Sequence, residues 1–444
     1  MRGRSANTLD HKTDIQHARA VAQLTLRLLF ASKNRLFLTM KKLIFLCAFS
    51  LFAQTSGAQQ QLPEQLQAGS ESDVPTAVQV LRWHMNDDNV NAMTFSNMDK
   101  LFTIREVSPS GEVWDLPKDS RELDFTYSWQ GQELPAESIL ENTYTNALLV
   151  MKDGRIVYEN YRNNTDSQTR FIGWSMTKSI TSVLVGCALE DGYIDSLDTP
   201  ITDYLPELNG GAYEGVSILH VMQMRSGVDY EERYDWVNPG IAASNHINAL
   251  VKNTHRFADV ARTLSRKHEP GEVFQYKTID TAVLGWLIER TTDRRVAAYT
   301  EQCLWEPLGT EAAGFYIMDG EPGVGREFSG AGFNATLRDY ARFGQMILNG
   351  GMANGRRIVT ESWVQASTKP SHDEDEALGG YGLQWWTVGN SNAFQAIGLQ
   401  GQFIYVDPDT NTVVVKLSYF PPGPTSADDE TAAFMAAASA WKVN

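Results

Sequence analysis

FIGWSMTKSITS, residues 171–182, sets a serine and a lysine three positions apart at the front of an apolar run. On a helix, positions i and i+3 lie about 60° apart on one face, so the Ser175 and Lys178 side chains can enter the same cleft. At a first helical turn, unpaired backbone N–H groups and the positive end of the helix dipole favour a developing oxyanion and disfavour an ammonium at Lys178. A lysine serves as base to a serine only when neutral. Its ordinary pKa of about 10.4 has to be lowered by burial or neighbouring positive potential for that role. Ser-x-x-Lys is short enough to arise by chance, and Ser439 and Lys442 form a second copy within the last six residues. Chain ends fray, and no cleft is expected there.

The surrounding pattern places the motif in a fold. Ile180, Val183, Leu184, Cys187 and Ala188 recur at helical spacing before Gly192, which predicts a helix packed on one face. Upstream, ALLVMKDGRIVYENY (147–161) alternates apolar and polar residues around Asp153-Gly154, the signature of a hairpin. Downstream, QFIYVDPDTNTVVVKLSYF (402–420) gives two strands around Asp407-Pro408-Asp409, and a terminal helix begins after Ser426. Strands at both ends with helices between them predict an α+β fold: one antiparallel sheet built from N- and C-terminal pieces, with a helical insertion.

With 444 residues, 42% hydrophobic and 21% charged, the chain can bury a sizeable core. Met40 opens MKKLIFLCAFSLFAQTSGA, with two lysines, an apolar run and the small residues Ser56 and Ala58: the three-part pattern of a secretory signal peptide over 40–58. The run is too short for a transmembrane span, so no stable membrane insertion is expected once it is removed. Leu46 before Cys47 argues against a lipoprotein anchor. Residues 1–39 are expected to be an upstream extension, 59–141 an arm that wraps a domain, and 142–444 the domain itself. A periplasmic or secreted location follows. Beyond residue 58 the chain keeps 29 Lys and Arg against 52 Asp and Glu, a net charge of −23, which repels phosphate backbones and disfavours nucleic acid as a partner. Only Cys187 and Cys303 remain in that part, so no disulfide framework is implied.

Two further segments carry candidate chemistry. EPGEVFQYKTIDTAVLGWLIER brings Tyr276 out of a Pro270-Gly271 turn directly before another apolar helix, where a phenol beside a lysine can relay a proton. AIGLQGQFIYVDP sets Gly398 and Gly401 ahead of a strand, where backbone can approach a ligand closely and the Leu399 N–H can become a second oxyanion donor. A core tyrosine and a plain β-bulge are the competing readings.

Together these segments resemble the penicillin-recognising serine hydrolases, the superfamily of serine β-lactamases, DD-peptidases and related esterases, and within it the class C-like branch of 6-aminohexanoate-dimer hydrolases. SMTK (175–178) is similar to its Ser-x-x-Lys element, and YKT (276–278) stands where the family has Tyr-x-Asn. IDSLDTPITDYLPEL (194–208), VMQMRSGVDY (221–230), FSGAGFNATLRDYARFGQMILNGG (328–351) and YGLQWW (381–386) also resemble family segments. The resemblance covers roughly residues 85–440. It implies a β-lactamase/transpeptidase-like sheet flanked by helices with an all-helical subdomain, Ser175 as nucleophile, Lys178 as base and Tyr276 as proton relay. It also implies that Tyr234 in DYEERYDW (229–236) binds the scissile amide nitrogen, with Tyr230 as its rival. Thr278 replaces the usual Asn, and GLQG (398–401) occupies the place of the family's Lys-Thr-Gly or His-x-Gly. The missing basic residue argues against efficient capture of a β-lactam carboxylate.

Other hydrolase classes fit poorly. GWSMT lacks the last glycine of Gly-x-Ser-x-Gly, and HEPGE (268–272) breaks His-Glu-x-x-His, so no metal or other cofactor is expected. His372 in SHDEDE reads as a solvated loop residue. Among the tryptophans, Trp174 and Trp236 are taken as rim residues of a substrate cleft. The expected activity is hydrolysis of a small-molecule ester or amide through a serine acyl-enzyme. A β-lactamase or DD-peptidase and a non-catalytic binding or sensor protein are the alternatives.

Overall fold

The computed structural model describes residues 72–109, 111–321, 323–371 and 379–443. The expected signal segment with Cys47, and His372, lie outside the described residues. In chain order the strands are β1 (Ile104–Val107), the hairpin β2 (Thr126–Trp129) and β3 (Gln132–Pro135), β4 (Thr145–Lys152), β5 (Arg155–Tyr161), β6 (Arg170–Ile172), β7 (Gly314–Ile317) and β8 (Phe333–Thr336). A short hairpin follows, β9 (Met352–Ala353) and β10 (Arg356–Arg357), then β11 (Trp386–Thr387), β12 (Phe394–Gly398), β13 (Gln402–Asp407) and β14 (Thr412–Ser418). Among the described residues, the helices of twelve or more residues are α1 (Met176–Glu190), α2 (Thr278–Thr292), α3 (Leu337–Leu348) and α4 (Ala427–Ala440).

The main sheet runs β11-β12-β13-β14-β4-β5. Its two halves are far apart in sequence and are zipped together by β14 and β4, antiparallel with Val414 opposite Val150 and Val415 opposite Leu149. The expected sheet of N- and C-terminal pieces with helices inserted between them is therefore the observed one. Asp153 and Gly154 take the left-handed conformation that a two-residue hairpin turn requires.

The expected alternation at the first hairpin fails for β4, all eight residues of which are buried. Ala147, Leu149 and Met151 enter a core shared with α1, α2 and α3, while Leu148 and Val150 enter a second core with Phe434, Met435 and Ala438 of α4. Successive strand residues face opposite sides, so a sheet covered on both sides reads as a continuous apolar run. The same cause corrects α1. It was expected to be apolar on one face, yet every residue from Met176 to Ala188 is buried, because the helix packs against both β12 and α2. Gly186 permits this, since a Cβ there would stand 2.7 Å from the Trp363 ring.

A smaller sheet, β1-β7-β8-β6, receives its edge strand from the N-terminal arm, with Ile104 opposite Ile317. Its strand β6 leads directly into the turn before α1. The second Ser-x-x-Lys copy has no cleft: Ser439 hydrogen-bonds the Tyr405 hydroxyl at 3.3 Å and Lys442 is exposed. No helix of the described residues is long and apolar enough to cross a membrane.

Gly398 joins the main sheet to the turn that carries Ser175. A Cβ at Gly398 would stand 2.1 Å from the Gly173 carbonyl oxygen, so backbone occupies the space that a side chain needs. Gly398→Ala is expected to destabilise by about 1–3 kcal/mol through overpacking, lowering Tm by about 3 to 8 °C. Thermal unfolding of the variant checks this, and an unchanged Tm contradicts the contact.

Candidate active site

Ser175 stands at the N-cap position of α1, its side chain making no capping hydrogen bond, and is the one residue between Phe171 and Ala188 that is not buried. The turn that presents it is held on several sides. Gly173 donates its N–H to Phe333 O at 2.8 Å, and its carbonyl accepts from Met176 N at 3.0 Å. The Tyr340 hydroxyl, bonded to Phe171 O and Phe333 O at 3.1 and 3.0 Å, fills the space where a Gly173 side chain would lie. Trp174 adopts φ +45°, a conformation that bulky residues rarely take, and the packing around it sustains the strain. Its ring is only 3% exposed and meets Phe95 edge-on at 5.6 Å. Trp174 is thus a core residue that shapes the turn. Its expected place on the cleft rim is corrected.

Lys178 is 1% exposed, and its Nζ lies 2.9 Å from Ser175 Oγ, 3.1 Å from Thr278 Oγ1 and 2.9 Å from Gly330 O. Burial lowers its pKa to about 8, against an opposing pull from the Glu232 charge. The three contacts differ in kind. Gly330 O can only accept, and the Thr278 hydroxyl has given its proton to Glu232 Oε1 at 2.6 Å, so it too accepts from lysine. A neutral amine has two N–H groups and one lone pair. With both N–H groups engaged, the lone pair is left for the Ser175 hydroxyl.

Tyr276 arrives from the segment before α2. Burial raises its pKa well above the usual phenol value, with the nearby Ser175 side chain opposing and the Glu232 charge adding to the rise. Lys178 Nζ sits 4.9 Å from the centre of its ring. The ring also stacks on Trp386 at 5.4 Å and meets Tyr381 edge-on at 6.0 Å. Ser175 and Lys178, from one stretch of sequence, and Tyr276, from a second about 100 positions on, therefore lie close together.

Glu232 was not foreseen. Its Oε2 accepts from the Thr278 N–H at 2.8 Å at the first turn of α2, and its Oε1 accepts from both Thr278 Oγ1 and the Tyr234 hydroxyl, each at 2.6 Å. The carboxylate caps a helix N-terminus, where negative charge is favoured, and links Tyr234 to Lys178 through Thr278. Thr278 thereby has a role of its own where the family pattern carries Asn. Nothing in EERY distinguishes Glu232 from the exposed Glu231 beside it; only the fold does. Tyr230 is fully buried, with its hydroxyl facing Asn245, so Tyr234 is the tyrosine that reaches this network. Tyr234 packs beside Trp236 at 6.0 Å and His246 at 5.9 Å, and Trp236 meets Trp83 at 5.3 Å. Lys277, next to Tyr276, is buried on Ser226 Oγ and Val228 O at 3.1 Å each and anchors the segment.

Leu399 opens the turn between β12 and β13, half-buried. Gln400 and Gly401 follow with φ +56° and +91°, and the Phe420 ring lies 2.5 Å from where a Gly401 Cβ would be. Gln402 fixes the turn from behind: its Nε2 donates to Leu399 O, Gln400 O and Ser418 O at 3.2, 3.1 and 2.7 Å, and its Oε1 accepts from Ser418 N at 3.2 Å. Gly398, expected as a substrate-binding residue, allows a close backbone approach, and the group that approaches it is the Gly173 carbonyl. Among the described residues no group of three or more His, Cys, Asp or Glu is placed to hold a metal ion.

The chain is similar to known proteins over most of its length. The profile of the β-lactamase family matches residues 141–438. The 6-aminohexanoate-dimer hydrolase of Paenarthrobacter ureafaciens is 35% identical over 301 residues, 64% of this chain and 75% of that protein. Esterase EstB of Burkholderia gladioli is 27% identical over 196 residues, 39% of this chain and 47% of that one. Among solved structures, a Bacillus anthracis protein assigned as a 6-aminohexanoate-dimer hydrolase superposes with a TM-score of 0.71 at 25% identity, covering 80% of this chain and 95% of its own. A penicillin-binding protein from Bacillus halodurans shares the fold, with a TM-score of 0.54 at 19% identity over 69% of this chain and 99% of its own. A family match over most of the chain, laid on a buried lysine beside a serine at a helix N-cap position, makes this chain a serine hydrolase of the β-lactamase family.

Proposed function

We propose that the protein cleaves an ester or amide bond through an acyl-enzyme on Ser175. The observation that carries the reading is the buried Lys178 amine 2.9 Å from Ser175 Oγ, with two further acceptors, Thr278 Oγ1 and Gly330 O, available to its N–H groups when the amine is neutral. Ser175 Oγ attacks the carbonyl carbon while Lys178 takes its proton. The resulting oxyanion is held by the N–H groups of Ser175, at the helix end, and Leu399, on the turn clamped by Gln402. Tyr276, a phenol that keeps its proton at neutral pH, passes it to the leaving alcohol or amine and is resupplied by the Lys178 ammonium. Water then attacks the acyl carbon, giving its proton to Lys178, and Lys178 returns that proton to Ser175 Oγ as the acyl–oxygen bond breaks and the acid departs. Tyr234 and Trp236 border the leaving-group side, and Trp386, stacked on Tyr276, is the aromatic wall that the sequence reading assigned to Trp174.

Relatives named as an amide-oligomer hydrolase and an esterase support this substrate class. A β-lactamase or DD-peptidase reading has less support, because no basic residue stands in the GLQG turn. Lys416, on the strand beyond β13, is fully buried with its amine on Thr143 O at 3.1 Å and on Ser418. Export to the periplasm or medium is part of the proposal and rests on the sequence pattern at 40–58.

The first test is a panel of p-nitrophenyl esters, linear amide oligomers and nitrocefin. Esters or amides should turn over much faster than nitrocefin, and a fluorophosphonate should label the wild type but not Ser175→Ala. Labelling that survives in Ser175→Ala contradicts the nucleophile, and no labelling of either protein favours a non-catalytic binder.

Tyr276→Phe should lower kcat on amides by about 10²- to 10⁴-fold, because an amine must be protonated to leave. p-Nitrophenolate leaves without a proton, so the same variant should lose far less on the activated ester. Equal losses on both substrates contradict the role of Tyr276 as acid.

Since only neutral Lys178 accepts a proton, kcat/KM should rise with pH through a midpoint near about 8. The Glu232 charge holds that midpoint up, so Glu232→Gln should move the rise to lower pH. Kinetics across pH 6 to 10 check the sign, and a shift to higher pH contradicts it.

A further inference from the structure

The two cysteines beyond the signal segment stand 116 positions apart in sequence yet meet in space. Cys187 lies near the C-terminal end of α1, and its thiol approaches Cys303 O at 3.9 Å and Ile358 O at 3.6 Å. Cys303 lies in a π-helical turn, Glu301–Trp305, which packs against α1. The Cys187 side chain is also close enough to the Cys303 thiol to act on its titration. Cys187 is 4% exposed and Cys303 is half-buried, so an oxidant reaches Cys303 first. At a rise of about 1.5 Å per residue, the pair is about 18 Å along α1 from Ser175, outside the catalytic cluster.

We infer that Cys187 and Cys303 are an oxidation site that closes to a disulfide. The cross-link would tie the nucleophile helix to the far end of the helical insertion, enclosing the whole segment that supplies Glu232, Tyr234 and Tyr276. The oxidant is a disulfide, either a small molecule such as oxidised glutathione or the cystine of a thiol oxidoreductase. The Cys303 thiol loses its proton and attacks one oxidant sulfur, releasing the first thiol. Cys187, likewise deprotonated, then displaces the second. The Cys187–Cys303 bond forms, the protein gives up two protons and two electrons, and the oxidant is reduced to two thiols. Burial and the neighbouring Cys187 raise the Cys303 pKa well above its ordinary value, so thiolate is scarce in the folded protein and closure is slow once the core has formed. The reaction suits a chain that folds in an oxidising compartment, the location proposed above, but its chemistry does not depend on the hydrolase reading.

The test is refolding of the reduced protein in a buffer of oxidised and reduced glutathione, held there until the thiol content no longer changes, then denaturation in the presence of N-ethylmaleimide and non-reducing peptide mapping. A cross-linked pair of peptides containing Cys187 and Cys303 is expected. So are a Tm several degrees above that of the reduced protein, absent in Cys187→Ser, and ester turnover within about twofold of the reduced form. Recovery of both cysteines as maleimide adducts, or as separate glutathione adducts, in protein that still turns over ester overturns the inference. Ser175→Ala carried through the same protocol should close the same bond, so a failure of the hydrolase reading leaves this result untouched.

Discussion

The burial of one lysine amine governs the rest of the site. An ammonium at Lys178 would hold Ser175 as a donor holds an acceptor and could take nothing from it. Removing the amine from water disfavours the charged form and brings the pKa to about 8, within reach of working pH. Desolvation alone does not orient a lone pair. That falls to Gly330, which only accepts, and to Thr278, whose proton is committed to Glu232. Glu232 thus acts in two opposed ways: its charge raises the lysine pKa, while its hydrogen bond to Thr278 turns the lysine toward the serine.

The fold makes this possible by bringing distant segments to one end of α1. The turn before the helix is wedged between β8, Tyr340 and Gly398, and two glycines permit the close fit: Gly173 leaves room for the Tyr340 hydroxyl and Gly398 for the Gly173 carbonyl. The turn after β12 is fastened by the side-chain amide of Gln402, so the strand that delivers Leu399 and the helix that delivers Ser175 meet through backbone contacts. The helical insertion adds Tyr276, Thr278 and Glu232 from the opposite side. A sheet buried on both faces gives these parts a common frame.

Much of this is legible in the residues. Apolar runs broken by the turns at Asp153-Gly154 and Asp407-Pro408-Asp409 locate β4, β5, β13 and β14, helical spacing locates α1, and the joining of the chain ends into one sheet follows from their order. Ser175, Lys178 and Tyr276 are recognisable because each sits at a helix entrance with an apolar run behind it. What escapes has a common cause, namely that burial is a property of three dimensions. Trp174 reads as a rim residue from its place beside Ser175, yet a positive φ turns its ring into the core. Trp386 and Trp385 are neighbours in sequence, and only strand pairing decides that Trp386 stacks on Tyr276 while Trp385 lies fully buried. Gly398 is correctly singled out as a close-approach glycine, but what approaches is the Gly173 carbonyl. Glu232 is invisible because capping a helix 46 positions away leaves no local signature.

The most direct test of the account is the titration of Lys178 itself, followed by the NMR shift of ¹³C-labelled lysine ε-carbons in wild type and in a Lys178→Arg reference that removes the signal. The account predicts one lysine resonance with a midpoint near about 8, assigned by its loss in the reference. A Lys178 midpoint at the ordinary lysine value, about 10.4, would mean that the amine stays charged beside Ser175 and that the proton acceptor lies elsewhere.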